Sequence, residues 1–296
     1  MSKTINTPNE PKSYFVNLKD VTLNVTEWPG QGDPVLLLHA TGFHSRCWDC
    51  IARRLDAPVF AADLRFHGGS DSHGQVNWQV MAEDIEQLLV ALDLVRAIGV
   101  GHSLGGYLLA LAAARSPTRF KHVILIDPVI FPKEYYVGQF PPLDAIDPAT
   151  TGPSRRKRLW RDSEQMYQRF KSRAPFNRWH DKVLRDYCTY ALRTIPDDSE
   201  MELACDPLHE AAVYLHQKGN EVIYDWLPRL DVPATVLRGT PDFEHPDNLS
   251  ASPTWPGLAD MLPKGRDIYL PHLSHFIPME SPGLVEHLIC EVALTD

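Results

Sequence analysis

Four short runs of apolar residues, separated by segments long enough for a helix, constrain the fold of this chain more than any other feature. They lack the alternation of polar and apolar residues that marks a strand with one face in water. The runs are residues 35–38, 59–62, 98–100 and 123–126. Because continuous apolar runs of this length are typical of strands buried on both faces, they predict a parallel sheet with helical connections.

Two helices between these runs are the best defined. In residues 78–94, apolar side chains recur at intervals of three and four, while acidic and amide side chains occupy the opposite face. Residues 104–115 are apolar on nearly every side, which predicts a buried helix. Ahead of the first run, residues 14–18 and 21–27 alternate and predict an antiparallel hairpin. The sequence therefore predicts an α/β fold, a mostly parallel twisted sheet with helices on both faces.

A long stretch without strand-like runs follows Asp127. It contains amphipathic, aromatic-bearing segments that are typical of helices. These segments are residues 160–173, 180–195 and 207–218. Strand signals then return, at residues 234–237 and 267–270. We therefore predict an α/β core formed by residues 1–131 and 230–296, into which residues 132–229 are inserted as a helical cap.

Charge and composition argue against several classes of protein. With 29 basic and 38 acidic side chains, the formal net charge is −9, which is unsuited to binding a nucleic acid backbone. No apolar stretch approaches the ~20 residues of a membrane span, and the polar residues 1–12 show no secretory signal, so we expect a cytoplasmic protein. No cluster has metal-ligand spacing, and we predict neither a metal nor an organic cofactor. The oligomeric state does not follow from the sequence.

One short motif carries chemistry, because residues 101–105 (GHSLG) fit the pattern G-x-S-x-G. The motif follows one predicted strand and opens the helix predicted at residues 104–115, which is the strand–turn–helix setting that it requires. In so tight a turn the flanking residues must be small, and the serine projects beside a helix N-terminus whose free N–H groups favour a developing negative charge. The motif therefore predicts that Ser103 is a nucleophile.

Four further segments, in the same order along the chain, resemble motifs of the α/β-hydrolase family. They resemble the family's oxyanion-hole turn, its D-x-R-G-x-G-x-S segment, the turn that bears its catalytic acid and the loop that bears its catalytic histidine. In that order they are residues 39–42 (HATG), 63–70 (DLRFHGGS), 239–242 (GTPD) and 273–278 (LSHFIP). Ala40 and Phe66 stand where the family usually has glycine. The resemblance covers nearly the whole chain and implies a serine hydrolase with a lid.

The resemblance also implies a catalytic triad in the chain order Ser103, Asp242, His275. His275 would accept the proton of the serine hydroxyl during attack, and Asp242 would hold the imidazole in the tautomer that this step requires. Two other carboxylates remain as alternatives for the acid. Asp127 ends the strand that follows the motif helix, and Glu244 lies close to Asp242 in the sequence.

The same comparison implies an oxyanion hole formed by the backbone N–H groups of Thr41 and Leu104, with His39 bracing the turn before Thr41. The pocket beside Ser103 is expected to be apolar, with aromatic side chains of the cap setting specificity. The candidate pocket residues are Phe43, His102, Phe131, Trp160, Trp179 and Phe276.

These assignments favour a carboxylesterase that cleaves esters of small to medium size through an acyl-enzyme. Its partner would be a small-molecule ester, with no role for nucleic acid or a membrane. A hydrolase of lactones or carbon–carbon bonds, using the same residues, is an alternative. A ligand receptor with slow turnover is an alternative from a different class.

Overall fold

The computed structural model describes residues 10–136, 146–245 and 248–295. The first nine residues and residues 137–145, part of the predicted cap, lie outside the described residues. The described strands are, in chain order, β1 (Lys12–Asn17), β2 (Thr22–Trp28), β3 (Val35–Leu38), β4 (Val59–Ala62), β5 (Ala97–His102), β6 (Phe120–Ile126), β7 (Leu159–Trp160), β8 (Leu192–Thr194), β9 (Met201–Leu203), β10 (Ala234–Arg238) and β11 (Gly265–Tyr269).

Eight of these strands form one sheet in the order β1-β2-β4-β3-β5-β6-β10-β11. The hairpin β1–β2 is antiparallel, and β2 pairs with β4 in the same sense. From β4 to β11 every pairing is parallel, which confirms the predicted fold class. Strand order reverses direction between β3 and β5, so the loops that follow these two strands meet at the edge where ligands bind in such sheets.

Helices cover both faces of the sheet. In chain order, the described helices of the core and of the later segments are α1 (Asp49–Ala52), α2 (Trp78–Ala91), α3 (Leu104–Arg115), α4 (Lys133–Tyr136), α5 (Ser163–Phe170), α6 (Asp181–Tyr190), α7 (Pro207–Leu215), α8 (Ile223–Trp226), α9 (Ile277–Glu280) and α10 (Pro282–Ala293). Along β3, Leu36 and Leu38 point into the core formed with α2 and α3. Val35 and Leu37 point into the core formed with α1 and α10. Both faces are apolar because both are buried, as the continuous runs predict.

The segment between β6 and β10 contains α4 to α8 together with a three-stranded antiparallel sheet, in the order β7-β9-β8. The prediction that residues 132–229 contain no strands is therefore wrong. Each of these strands has only two or three residues, which is too short to show a period-two pattern in the sequence. We call residues 132–229 the cap, and their division from the core as a separate domain stays a prediction.

Candidate active site

Ser103 lies on the turn between β5 and α3, at φ 57° and ψ −116°. Side-chain-bearing residues rarely adopt these angles, and such strain recurs at functional sites. A Cβ on Gly101 would lie 2.3 Å from the carbonyl oxygen of Gly105, and one on Gly105 would lie 2.4 Å from that of Leu38. The motif glycines are therefore required for the close approach of this turn to β3 and to the start of α3.

His275 lies beside Ser103, on the loop between β11 and α9. Its Nε2 is 2.9 Å from Ser103 Oγ. Two main-chain contacts hold the residue in place: its N–H donates to the carbonyl oxygen of Ser250 at 2.9 Å, and its own carbonyl accepts from His102 Nε2 at 2.8 Å. The structure thus brings together the serine and the histidine that the sequence analysis singled out.

The carboxylate on the other side of His275 belongs to Asp127, the residue after β6. Asp127 Oδ2 lies 2.6 Å from His275 Nδ1. Because an ionised carboxylate only accepts hydrogen bonds, Nδ1 carries the proton and donates. In the neutral ring, Nε2 is then the acceptor for the hydroxyl of Ser103.

Asp127 is fully buried, and its second oxygen is also satisfied. Its Oδ1 accepts from the backbone N–H of Gly239 at 2.9 Å and from the hydroxyl of Ser252 at 2.5 Å. A buried carboxylate needs such donors to stay ionised away from water. The sequence analysis missed Gly239 N–H and Ser252, because both reach Asp127 only through tertiary contacts of a distant loop.

The prediction that Asp242 orients His275 is wrong. Asp242 Oδ1 lies 3.0 Å from Nδ1 of His245 instead, and this hydrogen bond lowers the pKa of Asp242. An isolated bridge pairs Pro241 with Ser252, so the loop presents Ser252, and not Asp242, to Asp127. Glu244, the weaker alternative, is exposed.

His39 braces the turn that follows β3. Its Nε2 accepts from the backbone N–H of Leu64 at 2.9 Å, so its Nδ1 carries the proton and donates to the carbonyl oxygen of Ala40 at 2.8 Å. Burial lowers the pKa of His39 to about 3. The ring therefore stays neutral near pH 7 and keeps both hydrogen bonds.

Two backbone donors lie free beside Ser103. Within the described residues, the N–H groups of Thr41 and Leu104 have no hydrogen-bond acceptor, whereas the next N–H in α3, that of Gly105, donates to the carbonyl oxygen of His39 at 3.2 Å. Thr41 also borders the cavity that contains Ser103. Unpaired backbone donors of this kind can stabilise an oxyanion.

Cap residues support the same turn from outside. Gly42 has φ +79°, and a Cβ there would lie 2.6 Å from Oε1 of Glu210 on α7. Glu210 forms an ion pair with Arg156, and Arg156 Nη2 donates to the hydroxyl of Tyr187 at 2.7 Å. The sequence alone does not indicate this contact between the cap and the turn that follows β3.

A cavity of about 90 Å³ opens beside Ser103 and His275. Three of the six predicted pocket residues, Phe43, Phe131 and Phe276, line it. Its wall as a whole is mainly apolar, and none of the described lining residues is a lysine or an arginine. This geometry can hold an apolar group against the hydroxyl of Ser103.

The other three predicted pocket residues do not line this cavity. Trp160 and Trp179 are buried in the aromatic core of the cap, where Trp179 packs against Phe276 with ring centroids 5.5 Å apart. Both rings pack in the cap core, and Trp179 lies directly behind the cavity wall. His102 lies beneath the serine turn, where burial, followed by the charge of nearby His275, moves its pKa well below the usual value.

Other chemistry is not favoured by the described part of the chain. It contains no group of three or more His, Cys, Asp or Glu side chains placed to hold a metal ion. None of its helices combines the length and apolar character of a membrane span. Cys47 and Cys50 are buried free thiols that pack into the aromatic core shared with the cap.

Comparisons with known proteins agree with the fold. A sequence model described as "Alpha/beta hydrolase family" matches residues 35–288. A monoglyceride lipase of Rattus norvegicus is 34% identical over 137 residues, which are 42% of this chain and 45% of the lipase. The 1-acylglycerol-3-phosphate O-acyltransferase ABHD5 of the same species is 36% identical over 107 residues, 34% of this chain and 30% of that protein. The match therefore spans less than half the length of these curated relatives.

Similarity over the full length appears among solved structures. The structure of E-2-(acetamidomethylene)succinate hydrolase aligns with a TM-score of 0.74 at 21% identity, over 96% of this chain and 99% of that one. At this level of identity the likeness shows the fold alone.

Proposed function

Because the chain belongs to the alpha/beta hydrolase family, we propose that it hydrolyses carboxylic esters with Ser103 as nucleophile, His275 as proton carrier and Asp127 as orienting acid. The observation that carries this proposal is the continuous contact through His275, 2.9 Å to Ser103 Oγ and 2.6 Å to Asp127 Oδ2. The similarity to a monoglyceride lipase supports an ester as the substrate.

In the first half of the reaction, Ser103 Oγ bonds to the ester carbonyl carbon while its proton passes to His275 Nε2. Negative charge on the carbonyl oxygen is stabilised by the N–H groups of Thr41 and Leu104, and each such donor lowers the barrier by about 3 kcal/mol. The bond from carbon to the alcohol oxygen then breaks, and the proton on His275 leaves with the alcohol. The acyl group remains on Ser103.

In the second half, water attacks the acyl-enzyme and gives a proton to His275 Nε2. The bond from the acyl carbon to Ser103 Oγ breaks, the acid leaves, and the proton returns to the serine. Asp127 keeps Nδ1 protonated throughout and stabilises the positive charge of the imidazolium. Each step uses only side chains, backbone N–H groups and water.

The cavity favours an uncharged ester of small to medium size. Its volume is about 90 Å³, and within the part of the chain that the structure describes no lysine or arginine lines it. Asp242 also lines it, and the hydrogen bond with His245 lowers the pKa of Asp242, which favours the ionised carboxylate. A negative charge on the substrate would be repelled there and would lack a cationic partner.

A series of 4-nitrophenyl esters with increasing acyl length tests the proposed activity. We expect turnover that is highest for short and medium chains and falls for long ones. Absence of turnover of every ester by folded protein would contradict the proposal.

Phe131 is expected to help set the acyl-length preference. It lines the cavity and stacks on Tyr135 with ring centroids 4.2 Å apart, so Phe131→Ala removes wall without touching Ser103. We expect kcat/KM for longer acyl chains to rise relative to short ones by roughly tenfold or more, the scale of apolar pocket discrimination. Phe170→Ala, in the cap core and away from this cavity, is the matched control. Identical length profiles for both variants and the wild type would refute the assignment.

Asp242 is expected to select against anionic substrates. The test compares kcat/KM for two esters of equal length, one ending in a carboxylate and one in its methyl ester. Asp242→Asn should raise the anionic-to-neutral ratio by roughly threefold to tenfold, because charges ~4 Å apart in water interact by about 1 kcal/mol. Glu244→Gln removes a charge from the same loop outside the cavity and should leave the ratio unchanged. A ratio that moves equally in both variants would show only a general charge effect.

A further inference from the structure

The cap carries a second cavity, of about 340 Å³, and all the charged side chains among its described lining residues are basic. The residues that supply these charges are Arg155, Arg156, Lys157, Arg169 and Arg173. The remaining lining residues are apolar, so the cavity combines positive charge with aromatic surface. It shares no lining residue with the cavity beside Ser103.

Three of these arginines lack a counter-charge. Within the described residues, Arg155, Arg169 and Arg173 have no carboxylate at ion-pair distance, whereas Arg158 and Arg161 in the same segment pair with Glu202 and Asp162. Arg156 is committed to Glu210. Guanidinium groups without a counter-charge therefore collect around this cavity, although acidic partners are available to their neighbours. Of the three, Arg155 donates to the carbonyl oxygen of Thr150 at 3.5 Å.

Two of the cations lie over the ring of Trp160, which borders the cavity. Lys157 Nζ lies 4.5 Å from the ring centroid of Trp160, and Arg169 Cζ lies 6.0 Å from it. Trp160 is buried and its indole N–H donates to the carbonyl oxygen of Lys157 at 2.9 Å, so the ring position is fixed. Lys157 Nζ also donates to Gln165 Oε1 at 3.2 Å, which leaves two of its three N–H donors for a ligand.

Like charges that converge without a counter-ion raise the free energy of the folded state, and a bound anion removes that cost. The chain as a whole has a formal net charge of −9, so the cluster is not part of a general basic surplus. Guanidinium forks match phosphate oxygens two at a time, and a phosphate monoester offers three oxygens and nearly two negative charges. We propose that this cap cavity binds a phosphate monoester, with the apolar part of the ligand against the half-buried rings of Phe170 and Phe176.

Two sources share this chemistry, a soluble phosphate ester and the head group of an acidic lipid. Calorimetric titration of the full chain with glycerol 3-phosphate probes the first. Co-sedimentation with phosphatidylcholine vesicles, with and without phosphatidic acid, probes the second. We expect saturable binding in at least one of these two experiments, and we expect that binding to weaken as the salt concentration rises.

The variant Arg169→Gln/Arg173→Gln should weaken binding by at least about tenfold, since it removes two charge-assisted contacts to the ligand. The variant Lys171→Gln/Arg229→Gln is the matched control, because it removes two positive charges that do not line the cavity. Circular dichroism checks that both variants fold.

Loss of binding in Arg169→Gln/Arg173→Gln, with binding retained in the control variant, supports the proposal. Whether this is seen with glycerol 3-phosphate or with vesicles tells which kind of ligand the cavity binds. Equally weakened binding in both variants would show that only the net charge of the protein matters, and would overturn the proposal. Absence of binding to glycerol 3-phosphate, together with equal attachment to both kinds of vesicle, would also overturn it.

Discussion

Replacing Asp127 with asparagine is expected to lower kcat for ester hydrolysis by about 10⁴-fold, the scale of the same exchange in a serine protease triad. The hydrogen-bond donors around residue 127 fix the orientation of the new amide group. Asp127 Oδ1 accepts from Gly239 N–H and from Ser252 Oγ, so the asparagine oxygen takes this place and its NH₂ group replaces Oδ2. That group donates to His275 Nδ1, which moves the ring proton to Nε2 and leaves no acceptor for the hydroxyl of Ser103.

The measurement compares kcat of Asp127→Asn and Asp242→Asn for one uncharged 4-nitrophenyl ester, with circular dichroism to check folding. Asp242→Asn should lose less than about fivefold, because its exposed pair with His245 contributes ~1 kcal/mol at most. The opposite ranking, with Asp242→Asn the inactive variant, would return the acid role to Asp242.

The regular part of the fold was predictable because its sequence signals are local. Residues 35–38 and 59–62 are the bounds of β3 and β4, and residues 104–115 those of α3, since burial on all sides leaves an unbroken apolar run. The small sheet of the cap was missed for the opposite reason. Strands as short as Leu159–Trp160 carry too few residues for a pattern and depend on their partners for pairing.

In the candidate site, the residues that short-range motifs singled out lie close together. The turn at Ser103 is forced by its own glycines, and His275 and Thr41 come to it on loops at the same edge of the sheet. The acid was different, because Asp127 and Asp242 both follow sheet strands that neighbour one another. Which of them faces His275 depends on where a later loop places Ser252.

The cavity beside Ser103 shows the same limit of prediction from sequence. Trp160 and Phe131 are both large aromatic residues outside the strands, and composition does not separate them. Only packing does so, because Trp160 is enclosed by Phe170 and neighbouring cap residues while Phe131 opens onto the cavity. A sequence pattern reports that a side chain will be buried, but not which buried surface it joins.

Replacing Ser103 with alanine is the other change with a large expected effect. It removes the atom that bonds to the acyl carbon, while the N–H groups of Thr41 and Leu104 and the apolar cavity remain. We expect kcat to fall by a factor of about 10³ to 10⁶, with residual rate from binding and oxyanion stabilisation alone. Because Ser103 is nearly buried and its side chain is small, the fold should be retained. Loss of a triad serine lowers kcat by far more than tenfold. A Ser103→Ala rate within tenfold of wild type would therefore exclude Ser103 as the nucleophile.

Covalent labelling by a fluorophosphonate tests the central claim most directly, because the reagent reacts with an activated serine whatever the natural substrate is. The protein is treated with the reagent, its intact mass is measured, and the modified peptide is sequenced. The account predicts one adduct, on Ser103, that is absent from Ser103→Ala and forms far more slowly in Asp127→Asn. An unlabelled wild-type protein, or an adduct that persists in Ser103→Ala, would contradict it.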